Sequence, residues 1–151
     1  MTDVVIRPAT AADVSGIVAM LVDDEIAAAR EAPDDLTPYR AAFEAIDADP
    51  NQVLVVAERN GELVGTLQLT IIPGMSRIGA CRGLVEGVRV AAAARGSGLG
   101  TTLMEWSIEE SRARGCKIVQ LTSDKARADA HRFYDRLGFT ASHEGFKLQL
   151  S

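Results

Sequence analysis

Val88-Arg89-Val90-Ala91-Ala92-Ala93-Ala94-Arg95-Gly96-Ser97-Gly98-Leu99-Gly100-Thr101 is a strand, a glycine-rich turn and a helix start in one run. Leu99, Leu103 and Trp106 recur at helical spacing, with Met104 and Ile108 beside them, which predicts a helix from Thr101 to Arg114 closed by Gly115. The first turn of a helix leaves backbone N–H groups without intrahelical partners and carries about half a positive charge. Phosphate satisfies both. Glycines at 96, 98 and 100 let the backbone approach such an anion closely, Arg95 adds a guanidinium, and the Ser97 and Thr101 hydroxyls can donate. A Walker loop requires a lysine that is absent here, and a dinucleotide fingerprint requires Gly-x-Gly-x-x-Gly where this chain has Gly-x-Gly-x-Gly.

On both sides the periodicity supplies the rest of one α/β domain over residues 1–151. Val4 to Arg7 reads as a strand stopped by Pro8, and Thr10 with Asp13 as a capping pair before a helix carrying Val14, Ile17, Val18 and Leu21. Ile26 to Ala32 continues or bends that helix, and Thr37-Pro38 starts another with Phe43 and Ile46 inward. Val53 to Glu58 and Glu62 to Ile72 form a hairpin about Asn60-Gly61, followed by a strand from about Ala80 to Val90. Lys117 to Leu121 is a short strand. Asp124 is read as the cap of a helix reaching Leu137, with Ala126, Ala130, Phe133 and Leu137 inward, and Phe139 to His143 with Phe146 to Leu150 as a final strand pair.

Composition narrows the function. A chain of 151 residues with 47% hydrophobic and 25% charged residues has the balance of a soluble globular protein. A net charge of −5 argues against a nucleic-acid coat and leaves room for a cationic substrate. No secretory signal or apolar run approaching the ~18 residues of a membrane helix is visible, so the expected compartment is the cytoplasm. Cys81 and Cys116 lack metal-ligand spacing and read as reduced packing residues. No metal is expected.

The run Arg95-x-x-Gly98-x-Gly100, with Val88-x-Val90 ending five residues before the arginine, resembles the coenzyme A signature of the GNAT N-acetyltransferase superfamily. Val4 to Thr10 resembles the family's opening strand and helix cap, Asn60 to Gly65 its β2–β3 hairpin, and Ala130 to Phe139 its closing segment, with Tyr134 four residues before Gly138-Phe139. The resemblance implies a mixed, mostly antiparallel sheet with splayed fourth and fifth strands, flanked by about four helices. It implies acetyl-CoA as cosubstrate, a backbone site for pantetheine at Val88, Arg89 and Val90, and a pyrophosphate site at Arg95, Gly96, Ser97, Gly98, Leu99, Gly100 and Thr101. Tyr134 would then protonate the departing thiolate; a phenol with a reference pKa near ~10 is protonated at neutral pH.

Glu86 alternates with Val88 and Val90, is expected on their face, and is the candidate base for a protonated amine; Asp124 or water is the alternative. Arg127 stands where many family members carry an asparagine that contacts the cofactor, so Ser123 or Asp124 could supply that contact. The acidic residues Asp23, Asp24 and Glu25, and His143 and Glu144, are candidates for the acceptor side, their plainer reading being solvated surface. The expected activity is direct acetyl transfer to a primary amine of a small molecule or peptide. A non-catalytic acyl-CoA sensor and a GNAT enzyme with another acyl donor or acceptor stay open. The resemblance also allows a homodimer.

Overall fold

Alternating apolar residues in three long segments build the centre of the molecule. The computed structural model describes residues 3–151 and divides them into two units, one reaching Gln120 and one from Leu121 to Ser151. In the first unit, β1 (Val5–Pro8), β2 (Gln52–Arg59), β3 (Glu62–Ile72), β4 (Arg82–Val90) and β5 (Ile118–Gln120) form one sheet in that order. The β1–β2, β2–β3 and β3–β4 pairs are antiparallel and β4–β5 is parallel. The mixed, mostly antiparallel sheet is therefore as expected. Asn60 and Gly61 both take positive φ (53° and 79°), the primed turn whose twist suits a two-residue hairpin.

Among the described residues the helices are α1 (Val14–Val22), α2 (Glu25–Ala28), α3 (Thr37–Ala48), the single turn α4 (Ser76–Gly79), α5 (Leu99–Ala113) and, in the second unit, α6 (Ala128–Arg136). Of these, α1, α3 and α5 pack on the sheet, because their apolar stripes need a partner. Leu67, Leu69, Leu103, Met104, Val55 and Val56 are fully buried, each contributing roughly 1.5–3 kcal/mol of transfer free energy. Small residues set how closely α5 approaches. A Cβ on Gly65 would stand 3.0 Å from Leu103 Cδ1, and one on Gly83 would stand 3.2 Å from Ser111 Cβ. Ser107 and Ser111 are buried on α5 and donate to the carbonyls of Met104 and Ser107, each at 2.7 Å, so neither hydroxyl is left unsatisfied.

Thr10 and Asp13 form the expected capping box, ahead of a short 3-10 turn at Ala11–Asp13 that leads into α1. Asp13 is buried and does more than cap. Its carboxylate accepts from Thr10 N–H (2.7 Å) and from both terminal nitrogens of Arg7 (2.8 and 3.0 Å), tying β1 to α1. The Arg7 guanidinium holds the Asp13 carboxyl below the usual carboxylate range.

Several sequence expectations are corrected. Of the two alternatives for Ile26 to Ala32, continuation of α1 is not the one formed: the chain breaks at Asp23 and Asp24, and the Asp24 side chain caps the separate turn α2. Helix α5 begins two residues earlier than expected, at Leu99, because Gly98 takes a left-handed conformation and serves as its N-cap. Helix α6 begins at Ala128; Asp124 instead accepts from Ala126 N–H in a turn before it. The final strand pair over Phe139 to His143 and Phe146 to Leu150 is not formed. Phe146, Leu148 and Leu150 keep the alternation of a strand but are 94%, 85% and 90% exposed. Alternation marks a strand only where a neighbouring edge accepts it.

Because the Asp13 pKa is depressed by folding, its contribution is complete above the ordinary aspartate value of about 4 and is lost as pH falls through the folded value. Asp13→Asn is expected to lower Tm at pH 7, and the gap to the wild type should narrow as pH drops below about 4. Thermal melts from pH 3 to 7 check this.

Candidate active site

Strand β4 has β3 on one side along nearly its whole length but β5 on the other only from Arg82 to Leu84, where the pairing ends at Gln120. From Val85 to Val90 no strand pairs with that second edge among the described residues. A parallel neighbour that stops short leaves backbone donors and acceptors open to an extended ligand. This is the separation of the fourth and fifth strands that the sequence led us to expect.

Gly87 deepens the separation. Its φ is +62°, and the β3–β4 register shifts there: Thr66 opposes Arg89 while Gln68 opposes Glu86. One extra residue on β4 is a β-bulge, which bends the strand and inverts its alternation. The simple alternation that placed Glu86 with Val88 and Val90 is therefore corrected. Residues directly opposite share a face, so Glu86 lies with Gln68, Thr66 and Arg89, whereas Val90 lies with Gly65 and Val85. On the Glu86 face, Gln52 Oε1 accepts from Gln68 (3.0 Å) and from the Thr70 hydroxyl (2.9 Å), a polar patch beside the carboxylate. Glu86 itself is exposed.

After β4, Ala92–Ala94 form a 3-10 turn that delivers Arg95 and the glycines to the start of α5. Gly96 and Gly98 both have φ of +81°, and a Cβ on either would meet nothing within 4 Å. Glycine is required there by backbone conformation, and the space beside it stays open. The Ser97 hydroxyl donates to Ala94 O (2.5 Å) and braces the loop from within. The N–H groups of Leu99, Gly100 and Thr101 begin a 15-residue helix and have no intrahelical acceptor. Together these residues present unpaired N–H groups at the positive end of the helix dipole, an arrangement with which anions interact favourably.

The acidic turn between α1 and α2 supplies the partners of this region. Arg95 Nη2 donates to Asp23 O and Asp23 Oδ2, both at 3.1 Å, and Arg95 Nε donates to Val90 O at 3.3 Å. Arg89 pairs with Asp24 Oδ2 at 3.5 Å. Asp23 and Asp24 are thus tied to the β4 segment, a link that sequence spacing could not reveal across more than sixty residues. Beside it opens a cleft of about 630 Å³, walled by Met20, Leu63, Ala91 and Ala92 with Asp23 at its rim.

In the second unit, Tyr134 is half-buried on α6, with edge-to-face contacts to Phe133 (ring centroids 5.2 Å apart) and Phe139 (5.9 Å). His131 Nε2 lies 3.0 Å from Asp124 O, and Glu144 pairs with Lys125 at 3.5 Å. The Ser123 hydroxyl has no hydrogen-bond partner although it is shielded from solvent. Among the described residues no group of His, Cys, Asp and Glu side chains could hold a metal ion, and no helix is long and apolar enough to cross a membrane.

Comparison with known proteins agrees with this geometry. Residues 18–139 match the model of the acetyltransferase (GNAT) family. Aminoalkylphosphonate N-acetyltransferase of Salmonella typhimurium is 33% identical over 151 residues, covering 96% of this chain and 90% of the relative. L-methionine sulfoximine/L-methionine sulfone acetyltransferase of Pseudomonas paraeruginosa is 32% identical over 91% of this chain and 80% of its own length. A crystal structure from Bacillus halodurans C-125, described as a transcriptional regulator, superposes with a TM-score of 0.95 at 45% identity, covering 98% of this chain and all of that one. An open-edged β4 leading into a glycine-rich helix start, and a family match over most of the sequence, agree: the chain belongs to the GNAT family of acetyltransferases.

Proposed function

We propose that the chain acts as one domain over residues 1–151 and transfers acetyl from acetyl-CoA to the primary amine of a small molecule by direct attack within a ternary complex. The observation that carries this reading is the pair of left-handed glycines, Gly96 and Gly98, at the unpaired N-terminus of α5. Arg95 and the N–H groups from Gly96 to Thr101 hold the pyrophosphate, and the β4 edge at Val88, Arg89 and Val90, which β5 does not reach, meets the pantetheine. The Ser123 hydroxyl is a candidate for the contact that the asparagine replaced by Arg127 makes in many relatives.

In the reaction, Glu86 or water removes a proton from the ammonium, with Asp124 as reserve. The free amine attacks the thioester carbonyl, and Tyr134 protonates the departing thiolate. The relatives suggest the acceptor: one acts on aminoalkylphosphonates and another on methionine sulfoximine and sulfone, each a small amine bearing an anionic group. The reading includes the cytoplasm as compartment and excludes nucleic acid and membrane as partners, in keeping with a net charge of −5. It also includes a homodimer, supported by the exposed strand-like tail Phe146, Leu148 and Leu150, which needs a second surface to cover it.

The second reading, an acyl-CoA-binding regulator without catalysis, is favoured by the description of the Bacillus halodurans relative. An acetyl-transfer screen over aminoalkylphosphonates, amino acids and peptides separates the two. Acetyl-dependent release of free CoA thiol supports the enzyme, whereas acetyl-CoA binding without thiol release across the panel supports the regulator.

Arg95→Ala is expected to raise KM for acetyl-CoA about 10-fold with little change in kcat, since it removes one charge-assisted contact to a group that does not react. Tyr134→Phe should lower kcat roughly 100-fold while leaving the acetyl-CoA Kd near the wild-type value, as read by steady-state kinetics and titration calorimetry. For the dimer, Phe146→Ser/Leu148→Ser is expected to sediment as a monomer where the wild type sediments as a dimer, by analytical ultracentrifugation.

A further inference from the structure

The chain has two cysteines, 35 positions apart, and the fold brings them together. Cys81 immediately precedes β4 and Cys116 lies two residues before β5. Their backbones are held side by side where the parallel pair begins: Lys117 N–H donates to Cys81 O at 3.1 Å, just ahead of the Arg82↔Ile118 register. On the other flank, Cys116 N–H donates to Ser111 O at 2.9 Å as the chain leaves α5 through Gly115, whose φ is +82°. The two Sγ atoms stand 3.4 Å apart, in contact but unbonded. Both residues are half-buried, so a small solute reaches them.

We propose that Cys81 and Cys116 form a reversible disulfide that staples the start of β4 to the start of β5. The bond encloses β4, the glycine loop and α5 in one covalent ring, the same segment that carries the anion site. A sulfur–sulfur bond of about 2.05 Å requires an approach of little more than 1 Å from the present positions, within reach of side-chain rotation. Closure lies at the start of β4, away from the stretch Val85 to Val90 that β5 does not reach.

The oxidant is a low-molecular-weight disulfide. The Cys81 thiolate attacks one sulfur of it, forming a mixed disulfide and expelling one small thiolate. The Cys116 thiolate then attacks Cys81 Sγ and expels the second. In sum two protein thiols lose two electrons and two protons, and the small disulfide is reduced to two thiols. Burial, then the hydrogen bond with Cys81, pushes the Cys116 thiol up to about 11, so it stays protonated at neutral pH, leaves the first attack to Cys81, and gives its proton to solvent as it attacks in the second step. Such cysteine pairs respond to redox conditions in compartments that normally keep thiols reduced.

The test is equilibration of the native full-length protein with excess glutathione disulfide, followed by acid quenching, thiol counting in denaturant, intact-mass measurement and a non-reducing gel. The expected result is loss of both thiols, a mass lower by two hydrogens, a peptide linking Cys81 to Cys116, monomer mobility under denaturing non-reducing conditions and full reversal by dithiothreitol. The oxidised protein should also melt roughly 10 °C higher, a shift absent from Cys116→Ser. Two thiols surviving the oxidant, glutathione adducts without an internal link, or cross-linking between chains would each overturn the proposal. So would an oxidised form that melts no higher than the reduced one.

Discussion

The architecture rests on a mismatch between two parallel neighbours: β4 runs to Val90, while β5 pairs with it only as far as Leu84. Backbone polar groups on a strand edge need partners. Antiparallel pairing with β3 satisfies one edge of β4 almost throughout, and among the described residues the short β5 leaves the other without a strand partner over its last six residues. The Gly87 bulge adds a bend at the point of separation. The strand that is most firmly held on one side is thereby the one that presents a ligand-sized edge on the other.

Packing beneath β4 makes the exposed edge rigid. Gly65 and Gly83 allow α5 to lie close against the sheet, and Leu103, Met104, Ser107 and Ser111 fill the interface. The N-terminus of α5 is fixed relative to the β4 edge by that interface. A second set of ties comes from the acidic turn after α1. Asp23 holds Arg95 and Asp24 holds Arg89, so two acids of the charge run after α1 are counter-ions of the segment from β4 to α5.

The two polar faces of the site differ in how they were readable. Periodicity over β4 assumed an unbroken strand and put Glu86 with Val88 and Val90. A single bulge residue inverts that relation, and nothing in Glu86-Gly87-Val88 distinguishes a bulge from an ordinary strand glycine. The Arg7–Asp13 tie was missed for another reason: Asp13 was legible as a capping residue from its distance to Thr10, but Arg7 belongs to a strand whose position depends on pairing with β2. The tail from Phe139 to Leu150 carried a strand's alternation without the hydrogen-bonding neighbour that makes one.

Local chemistry was within the sequence's reach: the capping box at Thr10 and Asp13, the Asn60-Gly61 hairpin, the glycine loop at 95–100 and the order of the five strands with α1, α3 and α5 all follow from short-range backbone preferences and side-chain spacing. These features involve residues within a few positions of one another, whose conformational energies do not depend on the rest of the chain. The tertiary structure decided what depends on partners distant in sequence. It set where β5 stops against β4, which face Glu86 occupies after the bulge, which carboxylates answer Arg89 and Arg95, and that Cys81 lies against Cys116. Pairing register and burial arise only when the sheet and its helices are assembled, and no spacing rule encodes them.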